Sequence, residues 1–150
     1  SGYGSDEEEL KALVQWLSEL PSDKIRDSEI GVLAYRKDQV KDIQNHLSKA
    51  GLESLILTSD KADDQSIAGI RLCTMHRAKG LEFKSVAIPF MSTSLFPPKW
   101  LLDKAVDEAD KEDIEAQLKS LLHVAATRAK AFLRVSWSGK PSRFIDNKYE

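Results

Sequence analysis

"IGVLAYRKDQVKDIQNHLSKAG", Ile30 to Gly51, is the stretch whose reading decides the fold. Ile30–Tyr35 is nearly continuous apolar sequence, as expected for a strand covered on both faces. Val40, Ile43 and Leu47 then recur at helical spacing, and Gly51 supplies a C-terminal cap. Strand followed by amphipathic helix is the repeating unit of a parallel sheet.

The pattern continues outward in both directions. Upstream, Ser5 and Glu8 have capping-box spacing ahead of a helix with Leu10, Leu13, Val14 and Leu17 on one stripe. Downstream, Leu55–Leu57 reads as a short strand and "TSDKADDQS" as a polar link. Ile70–Thr74 and Ser85–Phe90 read as further strands, with Pro89 placing the end of the second near an edge or a bend. "STSLFPPKW" is irregular, Ala105 to Lys130 carries the longest helical pattern, and "AFLRVSW" is a last strand. The expected fold class is α/β, a three-layer sandwich around a mostly parallel central sheet.

Composition narrows the function classes. The chain has 150 residues, 41% hydrophobic and 31% charged, enough for one domain with a real core. Cys73 is the single cysteine, which excludes an internal disulfide and argues against a cysteine-based metal cluster. No metal ligands are singled out. No apolar run approaches a membrane span, so no membrane partner is expected and the cytoplasm is the expected compartment. The chain starts "SGYGSDEEEL" without methionine; residues 1–5 read as an expression scar and residues 6–150 as one domain of something larger.

The net charge of −2 gives no overall basic footprint, yet the charges are unevenly placed. Asp103–Glu115 holds seven acids against two lysines, whereas Lys119–Arg143 holds six Lys/Arg and no acid. Arg71–Lys84 holds four cations against Glu82 alone. The two basic runs flank the same sheet and could converge; solvated faces are the plainer reading.

In parallel sheets, ligands collect outside the carboxyl ends of the strands. Arg36 ends the first strand, and "TMHRAKGLEF" (Thr74–Phe83) leaves the strand of Cys73. Arg36 could equally begin a water-exposed helix. In "LLHVAATRAK" (Leu121–Lys130), Ile114, Leu118, Leu121, Ala125 and Ala129 form one helical stripe. Arg128 lies about 60° from its centre at about 100° per residue. A guanidinium there needs an anion, and either a carboxylate of the fold or a phosphate satisfies it. His46 reads as a surface residue and His123 as packing. Trp100 and Trp137 could stack bases or simply pack.

"TMHRAKGLEF", "VAATRAK" and "LAYRK" resemble motifs V, VI and IV of the UvrD/Rep-type superfamily 1 DNA helicases, in family order. The likeness runs from Ile30 to about Trp137 and implies the second RecA-like motor domain of such an enzyme. It implies that Arg36 and Arg128 are arginine fingers reaching a γ-phosphate across an interdomain cleft. Glu82 would approach the nucleotide ribose, and Gly80 would let the backbone come close. Thr74 and His76 would face single-stranded DNA, so motif V would touch both ligands; Lys79 would serve the fold or the phosphates. ATP and Mg²⁺ are the implied cofactors, and an N-terminal RecA-like domain of the same polypeptide is the implied partner, holding the Mg²⁺.

Departures qualify these expectations. No G-x-x-x-x-G-K-[ST] phosphate loop occurs in the sequence, nor an evident acidic strand to accompany it. "AQLKSL" (Ala116–Leu121) replaces the acidic-basic run that often precedes motif VI, and only about a dozen residues separate Leu57 from Ile70, where large relatives carry a further subdomain. The alternative is a RecA-like interaction module without motor activity. A self-contained hydrolase lacks a nucleophile elbow.

Overall fold

A computed structural model describes residues 1–145; the last five positions of the expected 6–150 domain lie outside the described residues. Five parallel strands form the central sheet in the order β3-β4-β2-β5-β6. They are β2 (Ile30–Ala34), β3 (Ser54–Ile56), β4 (Ile70–Thr74), β5 (Phe83–Ile88) and β6 (Ala129–Val135). A two-stranded parallel ladder joins β1 (Gly2–Tyr3) to β7 (Trp137–Ser138) just beyond the end of β6. Residues 1–5 therefore take part in the fold, and Ser5 caps the helix that follows.

Helices cover both faces. On one face α1 (Asp6–Glu19) and α2 (Lys37–Lys49) pack Leu13, Leu17, Val40 and Ile43 against Val32, Ala34, Leu72 and Ala87. On the other, α4 (Glu108–Ala126) packs Leu118, Leu122 and Ala125 against Leu33, Cys73, Val86, Ile88 and Val135. The alternation of Val32 with Leu33, and Leu72 with Cys73, is the strand period of two dividing side chains between the two cores. A short helix, α3 (Lys99–Leu102), precedes α4.

Local chemistry sets the boundaries. The Ser5 side chain accepts from the Glu8 amide while Glu8 accepts from Gly4, which completes an N-cap. At the end of α2, the Gly51 and Leu52 amides donate back to Ser48 and Leu47, with Gly51 at φ 77, the left-handed conformation of a Schellman cap. The helical pattern read from Ala105 to Lys130 ends earlier. Ala126 is the last residue of α4, and Ala129 already pairs with Phe83 as the first residue of β6. Pro89 marks a bend rather than an edge, since β5 is an interior strand and Phe90 turns at φ 67.

Two buried charged groups hold this frame. Arg71 on β4 is fully buried and donates to Asp63 at 2.9 Å, to the Gly69 carbonyl at 2.7 Å and to the Asp64 carbonyl at 2.9 Å. It is therefore a structural cation that pins the Thr58–Gly69 link, and it leaves the basic run in which the sequence places it. Glu9, on the apolar stripe of α1, is also fully buried. Its Oε2 accepts from the Phe90 amide at 2.8 Å and the Ser136 hydroxyl at 2.6 Å, tying α1 to the ends of β5 and β6.

Burial pushes the Glu9 carboxyl above the usual carboxylate range, with Asp6 adding to the rise and Arg134, Ser136 and Phe90 opposing it. Folded Glu9 thus binds its proton more tightly than the unfolded chain does. Its contribution to stability is greatest below the ordinary carboxylate pKa and declines as pH rises through the raised one. Glu9→Gln keeps an acceptor for both donors but cannot ionise. Denaturant midpoints of wild type and Glu9→Gln should diverge as pH rises above the ordinary carboxylate range, with the wild type losing ground. Midpoints that move in parallel would show that Glu9 does not titrate there. Glu9→Ala should cost about 1–3 kcal/mol for each buried donor it orphans.

Candidate nucleotide and nucleic-acid faces

Because every strand of the central sheet is parallel, a residue that follows a strand and one that precedes a strand stand at opposite edges. Tyr35 and Arg36 follow β2, and Thr74 and His76 end or follow β4, so these four belong to the carboxyl edge. Gly80 and Glu82 precede β5 and Arg128 precedes β6, so these three belong to the amino edge. At about 3.3 Å per residue, strands of five to seven residues separate the two edges by roughly 17–23 Å. Arg36 and Arg128 stand at opposite edges of the sheet, and the structure does not bring them together.

Residues 75–82 make the passage between the edges. The Met75 amide donates to Ala34 at 2.8 Å at the top of β2, and Met75 and Ala78 are buried in the α4-side core. The segment reaches β5 at the other edge in eight residues, where most parallel crossovers use a dozen or more. Thr74 supports it by accepting from the Arg77 amide at 3.2 Å. Gly80 adopts φ 85, and nothing lies within 4 Å of where a Cβ would stand. The left-handed turn, not a close approach within this chain, is what requires glycine there.

At the amino edge, Arg128 is half-buried in the turn after α4. Its Nε donates to the Val124 carbonyl at 2.9 Å, Nη1 to the Leu81 carbonyl at 3.2 Å and Nη2 to Thr127 Oγ1 at 3.2 Å. No carboxylate pairs with it among the described residues, so the fold-carboxylate alternative does not hold. The guanidinium is oriented by carbonyls at a helix C-terminus, where a cation is favoured, and its charge is uncompensated by any acid. Glu82 pairs with Lys130 at 3.1 Å, both largely exposed, a contact weak enough to yield to a ligand.

At the carboxyl edge, a groove of about 1,230 Å³ runs past Lys37, Lys41, Lys61, Arg77 and Lys79, with Asp60 among its walls. Lys37, Lys61 and Lys79 form no ion pair among the described residues. Arg77 braces the groove by donating to the Thr58 and Lys61 carbonyls. Arg36 is exposed and pairs with Asp38 at 2.9 Å. The His76 ring sits 5.4 Å from that of Tyr35, which packs edge-on against Phe96 at 5.6 Å. Burial raises the Tyr35 phenol and pushes the Cys73 thiol up to about 12, so Cys73 is packing rather than a nucleophile.

The two basic runs do not converge. Arg143 pairs with Glu115, Arg134 packs against Tyr3 and Trp16, and Arg128 lies at the far edge. The convergent cations come instead from α2 and the Thr58–Ala62 turn, whose lysines are separated in sequence and join only when β2 and β3 pair around β4. Trp137 packs on Gly2, Trp100 is half-exposed beneath Lys104, and His123 is exposed rather than packed. Among the described residues no group of three His, Cys, Asp or Glu is placed to hold a metal ion, and no helix is long and apolar enough to cross a membrane.

A parallel sheet between α1/α2 and α4, with these two edges, defines a RecA-like helicase C-terminal domain. The chain belongs to the UvrD-like helicase C-terminal domain family, whose model matches residues 52–140. The ATP-dependent DNA helicase PcrA of Staphylococcus epidermidis is 38% identical over 103 residues, 61% of this chain and 13% of that protein. PcrA of Staphylococcus aureus is 35% identical over the same length. The chain thus spans about an eighth of the length of the curated relatives it matches. The crystal structure of the C-terminal domain of a possible DNA helicase from Lactobacillus plantarum superposes with a TM-score of 0.68 at 14% identity. That match covers 99% of this chain and 80% of the other, and it speaks for the fold alone.

Proposed function

We propose that the chain is the second motor domain of an ATP-dependent DNA helicase, with the nucleotide at its amino edge and single-stranded DNA at its carboxyl edge. The observation that carries this reading is the uncompensated Arg128 beside Gly80 and Glu82 at one edge. The other edge presents open cations, and residues 75–82 are the one short segment between them. Arg128 is the arginine finger, stabilising charge on the transferring phosphoryl group, and Glu82 is placed for the ribose. Arg36, at the opposite edge of the sheet, goes with Thr74 and His76 to the strand-binding edge instead.

ATP fits this chain only in part. Arg128 and Glu82 suit a phosphate and a ribose, but the sequence holds no phosphate loop. The Mg²⁺ and the phosphate cradle belong to the N-terminal RecA-like domain of the same polypeptide. When bound, the nucleotide supplies the phosphoryl chemistry; this chain orients it and stabilises charge. The rival reading, an interaction module without motor activity, leaves the uncompensated Arg128 fork with no use.

The chain alone should release no phosphate from ATP above background. It should bind single-stranded oligonucleotides weakly, with affinity falling steeply as salt rises. Phosphate release and fluorescence anisotropy at several salt concentrations measure both. Robust turnover by the chain alone, or no oligonucleotide binding even at low salt, would overturn the assignment.

A further inference from the structure

The last turn of a helix leaves carbonyls with no helical partner. At the end of α4 the Val124 carbonyl is one of these, and two side chains close on it. Thr127 Oγ1 donates to it at 2.8 Å and Arg128 Nε at 2.9 Å. Arg128 Nη2 also donates to Thr127 Oγ1 at 3.2 Å, which completes a ring of three hydrogen bonds. Chemistry fixes the direction of each. A guanidinium only donates and a carbonyl only accepts, so the Thr127 hydroxyl gives its proton to Val124 and a lone pair to Arg128.

We propose that Thr127 is a positioning residue for Arg128: its hydroxyl sets the plane of the guanidinium and so aims the finger. The proposal rests on the reading of Arg128 as the finger, and it adds what holds the fork in place. A guanidinium carries five N–H groups. Nε–H and one hydrogen on each terminal nitrogen are taken by Val124, Leu81 and Thr127. Two N–H groups remain, one on each terminal nitrogen. That is the number a bidentate contact to phosphate uses.

The two carbonyls alone would fix only an axis. Val124 and Leu81 hold Nε and Nη1, and the group could still tilt about the line between them. Thr127 supplies the third point, and three points set a plane. Its own side chain is restrained in turn, by branching at Cβ and by the bond to Val124. Thr127 is exposed, so water could satisfy its hydroxyl, and burial is not what commits it to this ring. A fork aimed in advance need not reorganise when charge develops on a phosphoryl group. Valine has the same shape as threonine but no oxygen to offer, whereas serine keeps the oxygen and lacks the branch.

The test measures ATP hydrolysis by the longer protein carrying Thr127→Val, Thr127→Ser, Arg128→Ala or Thr127→Val with Arg128→Ala; thermal melts confirm folding. Thr127→Val should lower kcat roughly 10- to 100-fold, the scale of one hydrogen bond to a charged group. KM for ATP should stay near the wild-type value, and Thr127→Ser should recover most of kcat. If Thr127 acts only through Arg128, the double variant should turn over no more slowly than Arg128→Ala alone. A kcat near wild type in Thr127→Val overturns the positioning role and leaves the finger standing. A double variant slower than Arg128→Ala by the full Thr127→Val factor also overturns it, since the hydroxyl would then act elsewhere. An unaltered kcat in Arg128→Ala overturns the finger and the positioning role together.

Discussion

Replacing Arg128 with alanine in the longer protein is expected to lower kcat for ATP hydrolysis by roughly 10³-fold or more, the range for arginine fingers. Nucleotide affinity should stay near the wild-type value, because a finger acts on charge that develops only in the transition state. The guanidinium is set for this role by the Val124 and Leu81 carbonyls, which fix its plane without neutralising it. Arg128→Lys should rescue little, since a single ammonium cannot occupy the positions of the fork. In this chain the same substitution should cost at most about 1–3 kcal/mol, the value of charged hydrogen bonds to carbonyls. Single-turnover hydrolysis and nucleotide titration separate the effects. A kcat within tenfold of wild type would remove Arg128 from the catalytic machinery.

Arg71 should behave in the opposite way. Arg71→Ala strands Asp63 in a nearly buried position and removes the donor to the buried Gly69 carbonyl, so the expected loss is about 3–5 kcal/mol. That is a large fraction of the stability of a domain this size, about 5–15 kcal/mol. Arg71→Lys should recover only part of it, because three acceptors in fixed directions suit a guanidinium and not an ammonium. Urea midpoints of the purified chain measure the loss. Arg71 is sealed beneath the Thr58–Gly69 link, so any change in oligonucleotide binding by the folded fraction should come only through the Lys61 turn that the link carries. A folded Arg71→Ala variant that loses much more binding than Lys61→Ala would return Arg71 to the nucleic-acid face.

The course of the strands was legible because β2 carries an unbroken apolar run, β4 one interrupted only by Arg71, and α2 both a clear stripe and a glycine stop. The end of α4 was not. "AATRAK" is rich in good helix formers, so the local preference continues where tertiary pairing of Ala129 with Phe83 draws the chain into β6. Arg71 and Glu9 were hidden for a related reason. Their partners lie in a polar link and in strand ends 81 and 127 residues away, though an acid on an apolar stripe was a signal. For the candidate site, the motifs named the residues but not their edges. Once the strands are read as parallel, the order does this: Arg36 follows a strand, Arg128 precedes one.

β6 is one of the two edge strands of the central sheet, and on its outer side no strand pairs with it among the described residues. Phe132 and Leu133 on it are 48% and 39% exposed. Such a strand is a template for a second copy. If two copies met antiparallel about Phe132, Lys130 of each would stand opposite Arg134 of the other, and like charges placed so repel. The chain thus carries its own electrostatic guard against fibril-like stacking. That guard is ionic and is screened within about 10 Å at 0.1 M salt. The same salt that would loosen a DNA strand from one edge of this sheet would weaken the repulsion between two copies of this edge strand.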